Sequence, residues 1–297
     1  MTSRVPDLIR HLGGLAHRRE LLGRGLTRRQ VETSWADGEI VRVRHGLYAS
    51  RGLPDDIIRA ARVGGTVSGA SSLALRGGWQ APSPRLVVSV AHNARDLRDP
   101  DDAGARLDAE RSDVLVLRDR TRFCPRTERL LASPSRAAAQ VLLHESPEFA
   151  AAMIDSAMRL PHRQRPILDE VLEHLAGHRT ARGMIASLDP RAEAGSESIA
   201  RVRLAQEGIR AEPQVWVDAD TRVDLLIDGW LVIECVSVDF HSSPAAYKAD
   251  RARILHIMAL GYVVVEATYS QILFDWTSVS TAVTVALGRH AGARLSA

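Results

Sequence analysis

The stretch Arg222–His241, RVDLLIDGWLVIECVSVDFH, decides how the C-terminal third of the chain is read. Two short apolar runs flank Asp228-Gly229, and the alternation on each side predicts a β-hairpin. A two-residue Asp228-Gly229 turn pairs Ile227 with Trp230 and sends Asp224 and Glu234 to opposite faces. A three-residue loop, Ile227-Asp228-Gly229 with the glycine in a left-handed bulge position, pairs Leu226 with Trp230 instead. One face then holds Val223, Leu225, Leu231, Ile233 and Cys235, all apolar, while Asp224, Val232 and Glu234 share the other. A one-residue slip mixes carboxylate with core, so the bulged hairpin is expected. It makes Asp224 and Glu234 neighbours roughly 5–8 Å apart. Such a pair can hold a divalent cation through oxygen ligands. The same pattern also fits the plain solvated face of a half-buried hairpin.

Around this stretch lies a chain of 297 residues, 45% hydrophobic and 25% charged. That length suits two or three domains with a sizeable core. No apolar run reaches membrane-spanning length, and the first residues hold no signal-peptide apolar core, so a cytoplasmic protein without a membrane partner is expected. Cys124 and Cys235 lie far apart in apolar contexts, which suggests neither a disulfide nor a zinc site. The net charge is +3, but residues 1–52 hold ten arginines against five acidic residues, a local +5 that leaves −2 for the rest. A basic excess gathered in one small unit points to nucleic acid. Lys248 is the only lysine in the chain.

In chain order, residues 4–12 and Ala16–Leu22 read as short helices. Thr27-Arg28-Arg29-Gln30 fits a capping box that opens a third helix, running to about Ala36. Ile40–Val43 and Gly46–Ala49 flank Arg44-His45 as a β-hairpin. Helix, turn, helix and basic hairpin is the layout of a winged helix-turn-helix. Arg28 and Arg29 would then face base edges, and Arg42, Arg44 and His45 would meet phosphate from the wing. Solvated arginines on a small helical domain, or a winged helix used for protein contact, are the alternatives. The segment from Leu21 to Tyr48, especially TRRQVETSWADGEIVRVRHGLYAS, resembles the N-terminal domain of AbiEi-type antitoxins, transcriptional regulators of type IV toxin–antitoxin systems. That resemblance implies DNA and a cognate toxin as partners.

Residues 53–190 read as a connecting domain, mixed α+β and mainly helical. Helices are expected at Pro54–Val63, Ser68–Leu75, from Pro134 to His144, from Pro147 to Met158 and at Ile167–Leu175. Leu86–Val90 and Val114–Leu117 suit strands, with a surface loop over Asn93–Glu110. The histidines His144, His162, His174 and His178 lack carboxylate or cysteine partners at ligand spacing. Gly183–Gly195 reads as a linker.

From there the expected order is a helix Glu197–Glu207 capped by Ser196, a strand Gln214–Ala219, the hairpin, a helix from Ser243-Pro244, an apolar strand Tyr262–Ala267 suited to burial on both faces, and a last helix. This α/β sandwich over residues 191–297 is similar to the PD-(D/E)XK nucleases. It looks specifically like the bacterial family related to very-short-patch-repair endonucleases. The matching residues are Glu197, PQVWVD, RVDLLIDGWLVIE, Asp239 to His241, KADRAR at Lys248 to Arg253, and GYVVVEATYSQI. The fold class read from the whole chain is therefore multi-domain α/β. It combines an N-terminal winged helix-turn-helix, the middle domain and a C-terminal restriction-endonuclease-like sandwich.

The resemblance implies phosphodiester hydrolysis with magnesium. Asp224 and Glu234 would bind the metal, Glu197 would add a ligand or orient the water, and His241 would donate to the scissile phosphate. The pattern departs at Val236, where the superfamily usually has lysine and this subfamily commonly aspartate. Valine neither binds metal nor stabilises developing charge, and Lys248, early in the next helix, is the only lysine that could replace it. Two functions follow: a magnesium-dependent DNA endonuclease, or an antitoxin-like regulator that keeps the fold without cutting.

Overall fold

The capping box at Thr27 is formed in the protein. Its hydroxyl accepts the Gln30 N–H at 3.2 Å, and the Gln30 side chain takes the Thr27 N–H at 2.8 Å. The structure is a computed structural model. It describes residues 4–119, 129–236 and 244–295. His241 and Cys124 lie outside them, so the expectations placed on both fall outside the described residues. The fold is mixed α/β with several small sheets. Two compact units are built from interleaved segments. No helix among the described residues is long and apolar enough to cross a membrane.

Unit one comprises Met1–Arg76, Gln80–Gln140 and Pro166–His174. It opens with α1 (Arg4–His11), β1 (Leu15–His17), α2 (Arg18–Gly23), α3 (Arg28–Ala36), β2 (Ile40–Arg44) and β3 (Leu47–Ser50). The expected helix Ala16–Leu22 is corrected here. Leu15, Ala16 and His17 pair with Ala49, Tyr48 and Leu47 as a third strand, and the helix starts only at Arg18. The sheet order is β1-β3-β2, and Val5, Ile9, Leu21, Val31, Ile40 and Tyr48 close a small core under it. There follow α4 (Asp55–Val63), β4 (Thr66–Val67), α5 (Gly69–Ala74), β5 (Leu86–Ala91), β6 (Val114–Asp119), α6 (Pro134–His144) and, after α7 (Pro147–Met158) of unit two, α8 (Leu168–His174). Strands β4, β5 and β6 form the second sheet, with β5 and β6 parallel.

Unit two comprises Gly77–Trp79, Val141–Arg165 and Leu175–Ala297. It includes α7, and then α9 (Arg179–Met184), a 3-10 turn (Ile185–Ser187), α10 (Gly195–Gln206), β7 (Ala211–Trp216), β8 (Arg222–Ile227), β9 (Leu231–Val236), α11 (Pro244–Ala259), β10 (Val263–Thr268), α12 (Tyr269–Phe274) and α13 (Trp276–Leu295). Part of the expected linker is therefore helical. The sheet order is β10-β9-β8-β7. Antiparallel β7, β8 and β9 meet β10 in parallel, as a connection through α11 requires. One face packs on α7, α10, α12 and α13 through Ile199, Leu225, Ile233, Ile272 and Val283. The other packs Val232 and Leu226 on Ile254 and Ile257 of α11. Strand β10 lies at an edge with Val263 and Glu266 exposed, so burial on both faces is overturned. Strand β7 starts at Ala211 rather than Gln214, because the opposite edge tolerates Pro213.

Candidate functional site

The hairpin register differs from both expected ones. Leu225 pairs with Ile233, Leu226 with Val232 and Ile227 with Leu231, leaving Asp228, Gly229 and Trp230 in the loop. Asp228 and Gly229 both have left-handed backbones, at φ +50° and +75°, and Trp230 N–H donates to the Ile227 carbonyl at 3.2 Å. Trp230 then leaves the ladder to stack on His290 with ring centroids 4.0 Å apart. The shift from the favoured register is two residues, so Leu225, Leu231, Ile233 and Cys235 keep the face expected of them, while Val223, beyond the end of the ladder, packs with Val232, Ile254 and Ile257 on the other.

The ladder ends at Leu225–Ile233. Beyond it, the Asp224 carboxylate takes the place of a backbone partner, its Oδ2 accepting the Cys235 N–H at 2.8 Å. Glu234 is 5% exposed and lies close enough for Asp224 to raise its pKa. The third carboxylate comes from α10, which begins at Gly195 with Ala194 as its cap residue rather than Ser196. Glu197 reaches back and accepts the N–H groups of Ala194 at 2.9 Å and Glu193 at 2.8 Å. Gly195 is required there, since a Cβ would lie 2.4 Å from Trp79 Nε1.

Gln214 of β7 joins these groups. Its Nε2 donates to Glu197 Oε2 at 2.8 Å and to Asp224 Oδ1 at 3.4 Å. Its backbone is left-handed at φ +57°, strain that a non-glycine residue adopts only when its surroundings enforce it. On the other side, Arg253 of α11 donates to Glu234 Oε2 at 2.6 Å and Oε1 at 3.2 Å, and to the Arg222 carbonyl at 2.6 Å.

Burial, and next the charge of Asp224, push Glu197 up to about 7. The same two causes push Glu234 up to about 7 against the opposing pull of Arg253. Burial raises Asp224, while the Cys235 N–H and Arg253 oppose it. The Cys235 thiol is raised by burial and by all three carboxylates, so it sits among them. Titratable groups shifted this way by burial and mutual repulsion mark candidate functional sites.

The three sequence-expected carboxylates thus meet. Lys248 does not join them: it is exposed on α11, and the cation at Glu234 is Arg253, five residues on. Arg251 pairs instead with Asp250 and Glu266. Among the described residues, no group of three or more His, Cys, Asp and Glu side chains is arranged to hold a metal ion. The donor set fits a smaller demand. Magnesium needs only one or two carboxylates and keeps waters, and Asp224 Oδ1 carries just the 3.4 Å contact. Gln214 and Arg253 stand in the sequence only as parts of PQVWVD and KADRAR, because polar side chains on strand and helix faces carry no signal for a contact made across the fold.

In unit one, Arg28 and Arg29 are exposed at the start of α3, and Arg42 and His45 are exposed around β2. Arg42 lies 5.2 Å over the Trp35 ring and 3.5 Å from His45 Nδ1. Trp35, 43% exposed, belongs to this surface, although its spacing four residues after buried Val31 reads as a core position. Arg44 differs from the others. It is half-buried, with Nη1 2.9 Å from where a Gly64 Cβ would stand, and burial and Arg98 lower its pKa.

No family model matches the chain. It is similar to an uncharacterized protein of Mycobacterium tuberculosis strain CDC 1551 / Oshkosh and to one of strain H37Rv. Each is 25% identical over 256 residues, covering 81% of this chain and 89% of the relative. That coverage exceeds what either unit alone supplies, so the likeness runs through both.

Proposed function

We propose that this chain is a DNA-acting protein: a winged helix-turn-helix in unit one binds duplex DNA, and a restriction-endonuclease-like sandwich in unit two hydrolyses phosphodiesters with bound magnesium. The observation that carries this reading is the meeting of Glu197, Asp224 and Glu234, from one helix and two strands, around Gln214. Burying like charges together is costly unless a cation shares them. Asp224 and Glu234 would hold magnesium, which when bound there supplies a Lewis acid and lowers the pKa of a water. Glu197, raised to about 7, suits a group that takes a proton from water near neutral pH. Its two backbone donors and Gln214 fix its orientation. In unit one, Arg28 and Arg29 would meet the groove and Arg42 and His45 the backbone.

Incubation with supercoiled and linear DNA plus magnesium or manganese tests this. Cleavage is expected, and it should vanish in Asp224→Ala and Glu234→Ala. Absence of cleavage, or cleavage unchanged in both variants, sinks the enzymatic reading.

One observation favours a second reading. Arg253 already neutralises Glu234, and Val236 adds no cation or ligand. A protein that keeps this fold without cutting would be an antitoxin-like transcriptional regulator of a type IV toxin–antitoxin system. It would show salt-dependent DNA binding, a cognate toxin partner and no metal response.

A further inference from the structure

This inference rests on the divalent-cation reading of the carboxylate site and concerns the cation that the protein itself brings there. Arg253 covers both oxygens of Glu234, at 2.6 and 3.2 Å. Its side chain is 34% exposed against 6% for Glu234, so the guanidinium is the solvent-facing member of the pair. Its hydrogen bond to the Arg222 carbonyl at 2.6 Å tethers it to β8 independently of Glu234. Among the described residues no other arginine or lysine hydrogen-bonds to the three carboxylates, for Arg222 pairs with Glu193 and Arg251 with Asp250 and Glu266.

A divalent cation on Glu234 needs the same oxygens that Arg253 now covers. Its charge also removes the reason for the guanidinium to stay. Released from Glu234 but held by the Arg222 carbonyl, Arg253 would present a planar fork of N–H donors beside the site, a geometry that matches phosphate. We propose that Arg253 exchanges Glu234 for a phosphate oxygen of the nucleic acid once the carboxylates hold a divalent cation, so that Arg253 is the phosphate-binding residue of this site.

The test uses the full chain, calcium, and a thymidine dinucleotide as the phosphodiester probe. Calcium binding is read by calorimetry and dinucleotide binding by NMR titration. With calcium, Arg253→Ala should bind the dinucleotide about tenfold more weakly or worse, the size of a lost charge-assisted hydrogen bond. Its calcium affinity should equal or exceed that of the parent, because a competitor has gone. Arg253→Lys should recover part of the dinucleotide binding. Glu234→Gln should bind the dinucleotide without calcium, since a neutral amide releases Arg253; this variant also decides the matter if Arg253→Ala does not fold. If Arg253→Ala holds calcium and binds the dinucleotide as the parent does, or if Glu234→Gln gains nothing without calcium, the exchange is overturned while the cation site stands. If the parent binds no calcium, the reading of the site falls and this inference falls with it.

Discussion

Replacing Asp224 by asparagine should make unit two more stable at alkaline pH while removing its response to divalent cations. Glu197 is 4% exposed, and burial and Asp224 push its carboxyl up to about 7 from an ordinary 4.5. Holding it ionised in the folded state above pH 7 therefore costs about 3 kcal/mol. Burial is the larger cause and Asp224 the next. Two charges about 5 Å apart at an effective dielectric near 20 repel by about 3 kcal/mol, which bounds the share that asparagine can relieve. Asparagine keeps an oxygen for the Cys235 N–H, so a net gain of about 1–2 kcal/mol at pH 8 is expected. The sign follows from the direction of the shift. The folded pKa values of Glu197 and Glu234 are raised, so their contribution is full below pH 4.5 and is lost as pH climbs through about 7. Parent and variant should then differ at pH 8 and converge at pH 5. Tryptophan fluorescence in urea reads this out in a Trp35→Phe background, because Trp79, Trp216, Trp230 and Trp276 all belong to unit two. Manganese should raise the parent's midpoint at pH 8 and leave the variant's in place. A midpoint that falls equally in both proteins between pH 5 and pH 8 would refute the shared electrostatics of the site.

Other consequences follow from single contacts. Gln214→Gly should be more stable than Gln214→Ala by about 1 kcal/mol, since glycine relieves the left-handed backbone that alanine keeps; equal urea midpoints would show that the strain is not there. Asp155 is fully buried and accepts from the Asp189 N–H, the Ser198 hydroxyl and Arg201 at 2.8–2.9 Å. Asp155→Ala should therefore cost unit two about 3–5 kcal/mol by stranding Arg201. Burial lifts Asp155 to about 6, so the parent should lose stability as pH rises from about 4 through 6 and Asp155→Asn should not, which urea midpoints across that range would check. In unit one, Arg42→Ala should weaken DNA binding alike across sequences and flatten the salt slope by about 1, the one phosphate it would meet. A slope unchanged in a fluorescence-anisotropy titration would remove Arg42 from the interface.

The contacts that were legible in the sequence and those that were not differ in physical kind. Local signals placed α3, α4, α5, α6 and α7 closely: a formed capping box opens α3, and proline, serine and glycine punctuation bounds the others within a turn of their ends. Ala16 and His17 read as the start of a helix because their strand partners, Tyr48 and Leu47, lie about thirty residues on, and no local pattern names them. The carboxylates Asp224, Glu234 and Glu197 were legible, whereas Gln214 and Arg253 were not. Gln214 counts only through a positive φ, and Arg253 only because α11 is laid against the sheet.

The hairpin shows why the faces came out as expected, Val223 apart, when the register did not. Side chains alternate with period two, so an apolar pattern determines pairing only up to an even shift. The one-residue alternatives were distinguishable because they moved Asp224 into the core. The two-residue alternative was not, and the choice between them fell to Trp230. Counting it in the strand satisfies the alternation, but stacking it on His290, with its carbonyl taking the Val263 N–H at 3.0 Å, ties the loop to α13 and β10. In the register that accompanies this contact, Glu234 moves along β9 toward the level of Asp224 without turning over. A site built from two strands can therefore be placed on the correct face from sequence alone, while the level of its carboxylates along the strands follows a register that the alternation leaves open.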